Sequence, residues 1–127
     1  MNRRVLDASA LLALANQEEG SDRVASALPG AAINAVNACE AAAALAKHGA
    51  PMPEVERLIK SLDLEIVDFD EAMVWRTAEL RRLTKGVRLS LGDRACLATA
   101  EKLKAGVLTT DREWRKLRLG IRIQVIR

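Results

Sequence analysis

Residues 92–111 read GDRACLATAEKLKAGVLTTD. From Gly92 to about Lys104 the small and apolar residues predict a buried helix. Ala105-Gly106 stops it, Val107–Thr110 follows as a short apolar strand, and Asp111 closes the strand. Short apolar strands and helices alternate through the rest of the chain as well, without internal sequence repeats. Arg4-Val5-Leu6 is β-compatible, ends at Asp7 and leads into an Ala/Leu helix to Ala15. A short helix fits Asp22–Leu28, with Ser21 as its cap and Pro29-Gly30 as its stop. Ala31-Ala32-Ile33 is a second strand, and Asn37 is placed to cap an Ala-rich helix that ends at His48-Gly49. Pro51 and Pro53 open a helix whose Val55, Leu58, Ile59 and Leu62 share one face. Leu64, Ile66 and Phe69 mark a third strand. Asp70 then caps a helix to about Lys85, with Met73, Thr77, Leu80 and Leu83 along one side. Ile121, Ile123 and Val125 alternate as a fifth strand. Strand and helix alternate throughout, which predicts an α/β fold: a mostly parallel sheet of about five strands with helices on both faces.

The chain has 127 residues, room for a single domain spanning 1–127. Its aromatic residues are Phe69, Trp75 and Trp114, with no Tyr, so the core must be aliphatic. A net charge of +3 is compatible with an anionic partner without demonstrating one. Cys39 and Cys96 give neither a zinc spacing nor a disulfide framework, and among alanines each reads as a small buried thiol. Arg3-Arg4 with the apolar run to Ala15 imitates a signal peptide. Asp7 and Ser9 interrupt that run, however, and Asn16-Gln17-Glu18-Glu19 offers no cleavage site. No segment is long enough to span a membrane, so a cytoplasmic protein without a membrane partner is expected.

Most acids fall on polar helix or strand faces. Four do not. Asp7 and Asp111 each lie at the carboxyl end of an apolar strand, the rim where open α/β sheets bind ligands. Glu40 and Asp93 each fall in the expected first turn of a helix pointing to that rim. Asn37-x-x-Glu40 and Ser90-x-x-Asp93 also look like capping boxes, and Asp111 could cap a terminal helix. Taken singly, cap and ligand are equally good readings. Taken together, four carboxylates on one rim repel, at about 4 kcal/mol per pair 4 Å apart for an effective dielectric of about 20. A hard divalent cation resolves that repulsion.

These segments resemble the PIN-domain ribonucleases, of the kind found as VapC toxins of bacterial toxin–antitoxin modules. VLDASALLAL around Asp7, NACEAAAAL around Glu40, LSLGDRACLATA around Asp93 and VLTTDREW around Asp111 match the four acidic blocks of that family in order, over essentially the whole chain. The resemblance implies a PIN-like three-layer sandwich. It implies that Asp7, Glu40, Asp93 and Asp111 are catalytic, and that Asp7 and Asp93 hold Mg²⁺ or Mn²⁺. Glu40 and Asp111 would assist directly or through water, with Ser9 and Thr110 supporting the site. It further implies an RNA substrate, a cognate antitoxin and a homodimer. Arg94 departs from the small residue that many members carry after the third acid. It could touch substrate, pair with an acid or face solvent.

Metal-free cleavage through the 2′-hydroxyl needs a positioned base and acid, usually His or Lys. The one histidine, His48, ends a helix, where a cationic ring suits the dipole. A carboxylate-held cation that activates water is the economical alternative. Arg81, Arg82, Lys85 and Arg88 form one basic tract; Arg112, Arg115, Lys116, Arg118, Arg122 and Arg127 form another. Both read equally as solvated faces or as phosphate contacts, with Arg94 and Arg112 the substrate-binding candidates nearest the acids. Two non-enzymatic readings compete. One is a receiver-like α/β module, which wants a phosphoacceptor Asp after the third strand and a Lys after the fifth. The other is a PIN-like module that binds RNA or a protein without cutting it.

Overall fold

The structure is a computed structural model and describes residues 3–127. Five short strands, β1 (Arg4–Leu6), β2 (Ala32–Asn34), β3 (Glu65–Val67), β4 (Gly106–Thr109) and β5 (Ile123–Val125), form one sheet in the order β3-β2-β1-β4-β5. Every pairing is parallel. Crossovers supply the helices: α1 (Ala8–Ala15) and α2 (Ser21–Ala27) after β1, then α3 (Ala35–Lys47) and α4 (Met52–Ser61) after β2. After β3 come α5 (Glu71–Leu83) and α6 (Leu91–Leu103), and a 3₁₀ turn at Arg112–Lys116 precedes β5.

Alternation along the strands sends neighbouring residues to opposite cores. Leu6, Ile33 and Leu108 pack with α1–α4, while Val5, Ala32 and Val107 pack with α5 and α6 around the fully buried Trp114. Helices therefore cover both faces, as expected. The strand order puts β1 and β4 side by side where the winding reverses, and the carboxyl ends of those two strands frame a crevice. A receiver-like reading requires the order 2-1-3-4-5 instead, and this topology excludes it.

Differences from the expected elements are local. Asn34, not Asn37, caps α3, its side chain accepting the Val36 N–H. The Asn37-x-x-Glu40 capping box therefore does not form, and Glu40 lies in the second turn of α3 rather than the first. Gly20, not Ser21, precedes α2, in a left-handed conformation that brings it against Ile126. Leu83 and Leu58 are exposed although periodicity put them on buried faces. Cys96 is buried as expected, but Cys39 is exposed. It lies on the outer side of α3, whose contact with the core is made by Ala38 and Ala41.

Candidate active site

Three of the acids sit at element boundaries that face the crevice, Asp7 and Asp111 after β1 and β4 and Asp93 in the first turn of α6. Glu40 reaches it from the second turn of α3. Asp7 leaves β1 and caps α1. It is 4% exposed. One carboxylate oxygen accepts from Ser9 Oγ at 2.6 Å and from the Ala10 N–H at 2.8 Å; the other accepts from Thr109 Oγ1. Thr109 Oγ1 in turn accepts the Asp111 N–H at 3.1 Å, and Ser9 Oγ accepts the Thr110 N–H at 3.0 Å. The ends of β1 and β4 are thus stitched together through side chains. Asp111 follows β4 and caps the 3₁₀ turn by accepting the Glu113 N–H.

Asp93 forms the capping box that its spacing allowed and also lines the crevice. Ser90 Oγ accepts the Asp93 N–H at 3.1 Å and Asp93 Oδ2 accepts the Ser90 N–H at 2.9 Å, a complete capping box. Asp93 Oδ1 takes no part in the box. Glu40 is steered by its neighbours on α3 and α6. Asn37, almost fully buried, donates from Nδ2 to Glu40 Oε1 at 3.3 Å and to the Gly92 carbonyl at 2.9 Å. The lack of a side chain at Gly92 leaves room for the Glu40 head. A Cβ on Gly92 would stand 2.7 Å from Glu40 Cδ and closer still to both carboxylate oxygens.

Asp7, Ser9, Glu40, Asp93, Thr110 and Asp111 line one open cavity of about 460 Å³ at this rim. Every acid proposed from the sequence is in it, with both supporting residues. Charge coupling agrees with the geometry. Burial raises the Asp7 carboxyl from 3.8 to about 6, against the pull of its three hydrogen bonds, and the Asp93 charge adds to the rise. Burial and the Asp93 charge also raise Glu40, tempered by Asn37. Beneath them the fully buried Cys96 thiol is held well above its ordinary value, first by burial and then by Asp7, Asp93 and Glu40.

Donors here are oxygen only, the set a hard divalent cation takes. The acids line the walls rather than crowd a point: among the described residues no three His, Cys, Asp or Glu side chains already stand as ligands to one ion. Another cavity of about 460 Å³ lies at the opposite rim, between Arg3, Arg4, Glu101, Lys104 and Arg122, where the amino ends of the strands offer no comparable acids.

Three site residues escaped the sequence reading. Thr109, rather than Thr110, gives the supporting side chain, while Thr110 contributes its backbone N–H. Strand register could have shown it, because Val5-Leu6 pairs with Val107-Leu108 and so sets Asp7 beside Thr109. Asn37 and Gly92 were visible only once α3 and α6 were known to touch. Arg94 and Arg112 are not brought to the acids. Arg94 is 9% exposed and donates from Nη1 to the Thr77 carbonyl, towards α5; Arg112 is exposed and donates to the Arg127 carbonyl. His48 ends α3, as expected, and does not line the cavity.

Four acids from four separate segments, gathered at the switch point of a parallel sheet, make this an α/β protein with an acid-lined crevice. The chain belongs to the PIN domain family, whose model matches residues 4–119. Among solved structures it is similar to a chain of the DNA-bound VapBC structure from Salmonella typhimurium, at 22% identity and a TM-score of 0.74 over 98% of each chain. It is similar to Mycobacterium tuberculosis VapC20, described as a sarcin-ricin loop cleaving toxin, at 13% identity and a TM-score of 0.74 over 88% of this chain and 92% of that one. A toxin-antitoxin complex from Klebsiella pneumoniae matches at 21% identity and a TM-score of 0.72, over 89% and 91%. These likenesses show the fold. No curated protein matches the chain in sequence.

Proposed function

We propose that the protein is a divalent-metal-dependent endoribonuclease and the toxin of a toxin–antitoxin pair. One observation carries the chemistry: Asp7, Glu40, Asp93 and Asp111, from four separate segments, line a single cavity at the switch point of the sheet. Asp7 and Asp93 are the proposed holders of Mg²⁺ or Mn²⁺, with Glu40 and Asp111 assisting directly or through water. A bound cation supplies charge that orients and acidifies water and stabilises the leaving oxygen. The chain's own residues hold the acids ready. Ser9, Ala10 and Thr109 hold Asp7 in place, the capping box engages only Oδ2 of Asp93, and Asn37 with Gly92 sets the Glu40 head.

The toxin role rests on the family and on its structural neighbours, which include VapBC and other toxin–antitoxin complexes. A cognate antitoxin is the proposed partner. A homodimer belongs to the same proposal, and Val74, Trp75 and Leu83 of α5, with Trp75 at 65% exposure, are apolar surface a second copy can cover. Among the described residues no helix is long and apolar enough to cross a membrane. Purified protein freed of antitoxin should cut RNA only with Mg²⁺ or Mn²⁺ and leave a 5′-phosphate on the downstream fragment. Full activity in EDTA with 2′,3′-cyclic phosphate ends overturns the mechanism.

A further inference from the structure

The first turn of α6 presents two opposite charges to two different cavities. Asp93 faces the acids. Arg94, the next residue, lines a separate cavity of about 270 Å³ between the end of α5 and the start of α6, together with Arg81, Thr84, Lys85 and Arg88. Four cations line it and no acid does. Among the described residues none of Arg81, Lys85, Arg88 and Arg94 forms a salt bridge; the ion pairs of this region are made by Arg76 and Arg82 with Glu79 and by Arg76 with Glu101.

Arg94 sets this cavity apart from a solvated basic face. Its Nη1 is spent on the Thr77 carbonyl, while its Nε is buried with no hydrogen-bond partner. Burying a guanidinium with donors unused is costly, and an oxyanion that accepts from such an edge removes the cost. Arg81, Lys85 and Arg88 are exposed around it, free to add charge.

Resting on the ribonuclease reading above, we propose that this cavity is a phosphate subsite for the RNA backbone. A strand whose scissile phosphate lies at Asp93 passes over the first turn of α6 and sets a flanking phosphate against Arg94, with Arg88 and Lys85 at the rim. Phosphate contacts position without reading sequence, so the subsite fixes the register of the strand over the acids.

The test is binding of a fluorescein-labelled single-stranded oligoribonucleotide to the full chain in EDTA, followed across salt concentration. Without divalent metal it reports grip independently of cleavage, so failure of the subsite and failure of the nuclease reading are told apart. Arg88→Ala and Lys85→Ala should each weaken binding severalfold and flatten the salt slope by about 0.7. Arg94→Lys keeps the charge but loses the guanidinium edge, and should weaken binding as well. Arg57→Ala, an equal loss of charge on α4 across the sheet, should bind like the parent. Equal effects at Arg57 and Arg88, or parental binding by both rim variants, overturn the subsite. So does a loss confined to binding of poly-glutamate, which would assign the cavity to an acidic protein segment.

Discussion

Asp7 carries the clearest physical signature of a residue kept for something other than stability. A carboxyl raised from 3.8 to about 6 is favoured protonated in the folded state. Folding therefore takes up a proton between those values, and this contribution to metal-free stability is present below about pH 4 and lost as pH rises through 6. At about 1.4 kcal/mol per pH decade the loss is about 3 kcal/mol. Asn is as good a helix cap as Asp and carries no charge. Asp7→Asn should thus be at least as stable as the parent at pH 7 in EDTA, should lose the pH-dependent destabilisation between pH 4 and 6, and should be inactive. Denaturant unfolding at several pH values checks it; a variant markedly less stable at pH 7 makes Asp7 a structural cap. Added Mg²⁺ should raise the melting temperature of the parent more than that of Asp7→Asn or Asp93→Asn, because it binds the folded site. His48→Ala, away from the cavity, should keep most of the cleavage activity.

At the level of elements, α6 shows a helix start serving two ends that point mutations can separate. Ser90→Ala removes the cap of α6 and should cost about 1 kcal/mol. Gly92→Ala should do the opposite to the helix, stabilising it by up to about 1 kcal/mol. The added methyl meets only the mobile end of Glu40, so the fold survives while the carboxylate is displaced. A higher melting temperature with activity and Mn²⁺ affinity both reduced is the expected result; unchanged Mn²⁺ affinity by calorimetry would show that Glu40 does not serve the metal. The same helices mark where sequence reading stopped. The alternation of apolar strand and helix, and the acids closing β1 and β4, were legible because period, stops and caps are local. The true cap of α3 was not: Asn34 and Asn37 both have capping chemistry, and only the packing of α3 on α6 decides that Asn37 is buried against Gly92. The direction of Arg94 was hidden for the same reason, since on a helix consecutive side chains diverge and the sequence does not say which neighbour each one meets.

For the whole molecule, the charge plan predicts how an inhibitor should work. The net charge is +3, yet one rim concentrates four acids while basic side chains gather beside α5 and α6. A partner that presents Arg or Lys to Asp7, Glu40, Asp93 and Asp111 answers the same repulsion as a divalent cation, so it should compete with Mg²⁺. If the chain is a toxin, expression alone should arrest growth, and co-expression of a small adjacent reading frame should restore it. Raising Mg²⁺ should weaken inhibition of the purified pair. An antitoxin that reached only the acids would lose one of its four charged partners in Asp7→Asn and most of its affinity with it. One that also packs on apolar surface should still be captured by this variant, more weakly, although the variant is harmless. Growth unaffected by an active, soluble nuclease removes the toxin assignment and leaves the ribonuclease standing. Inhibition that is complete yet insensitive to Mg²⁺ places the antitoxin elsewhere than the acidic crevice.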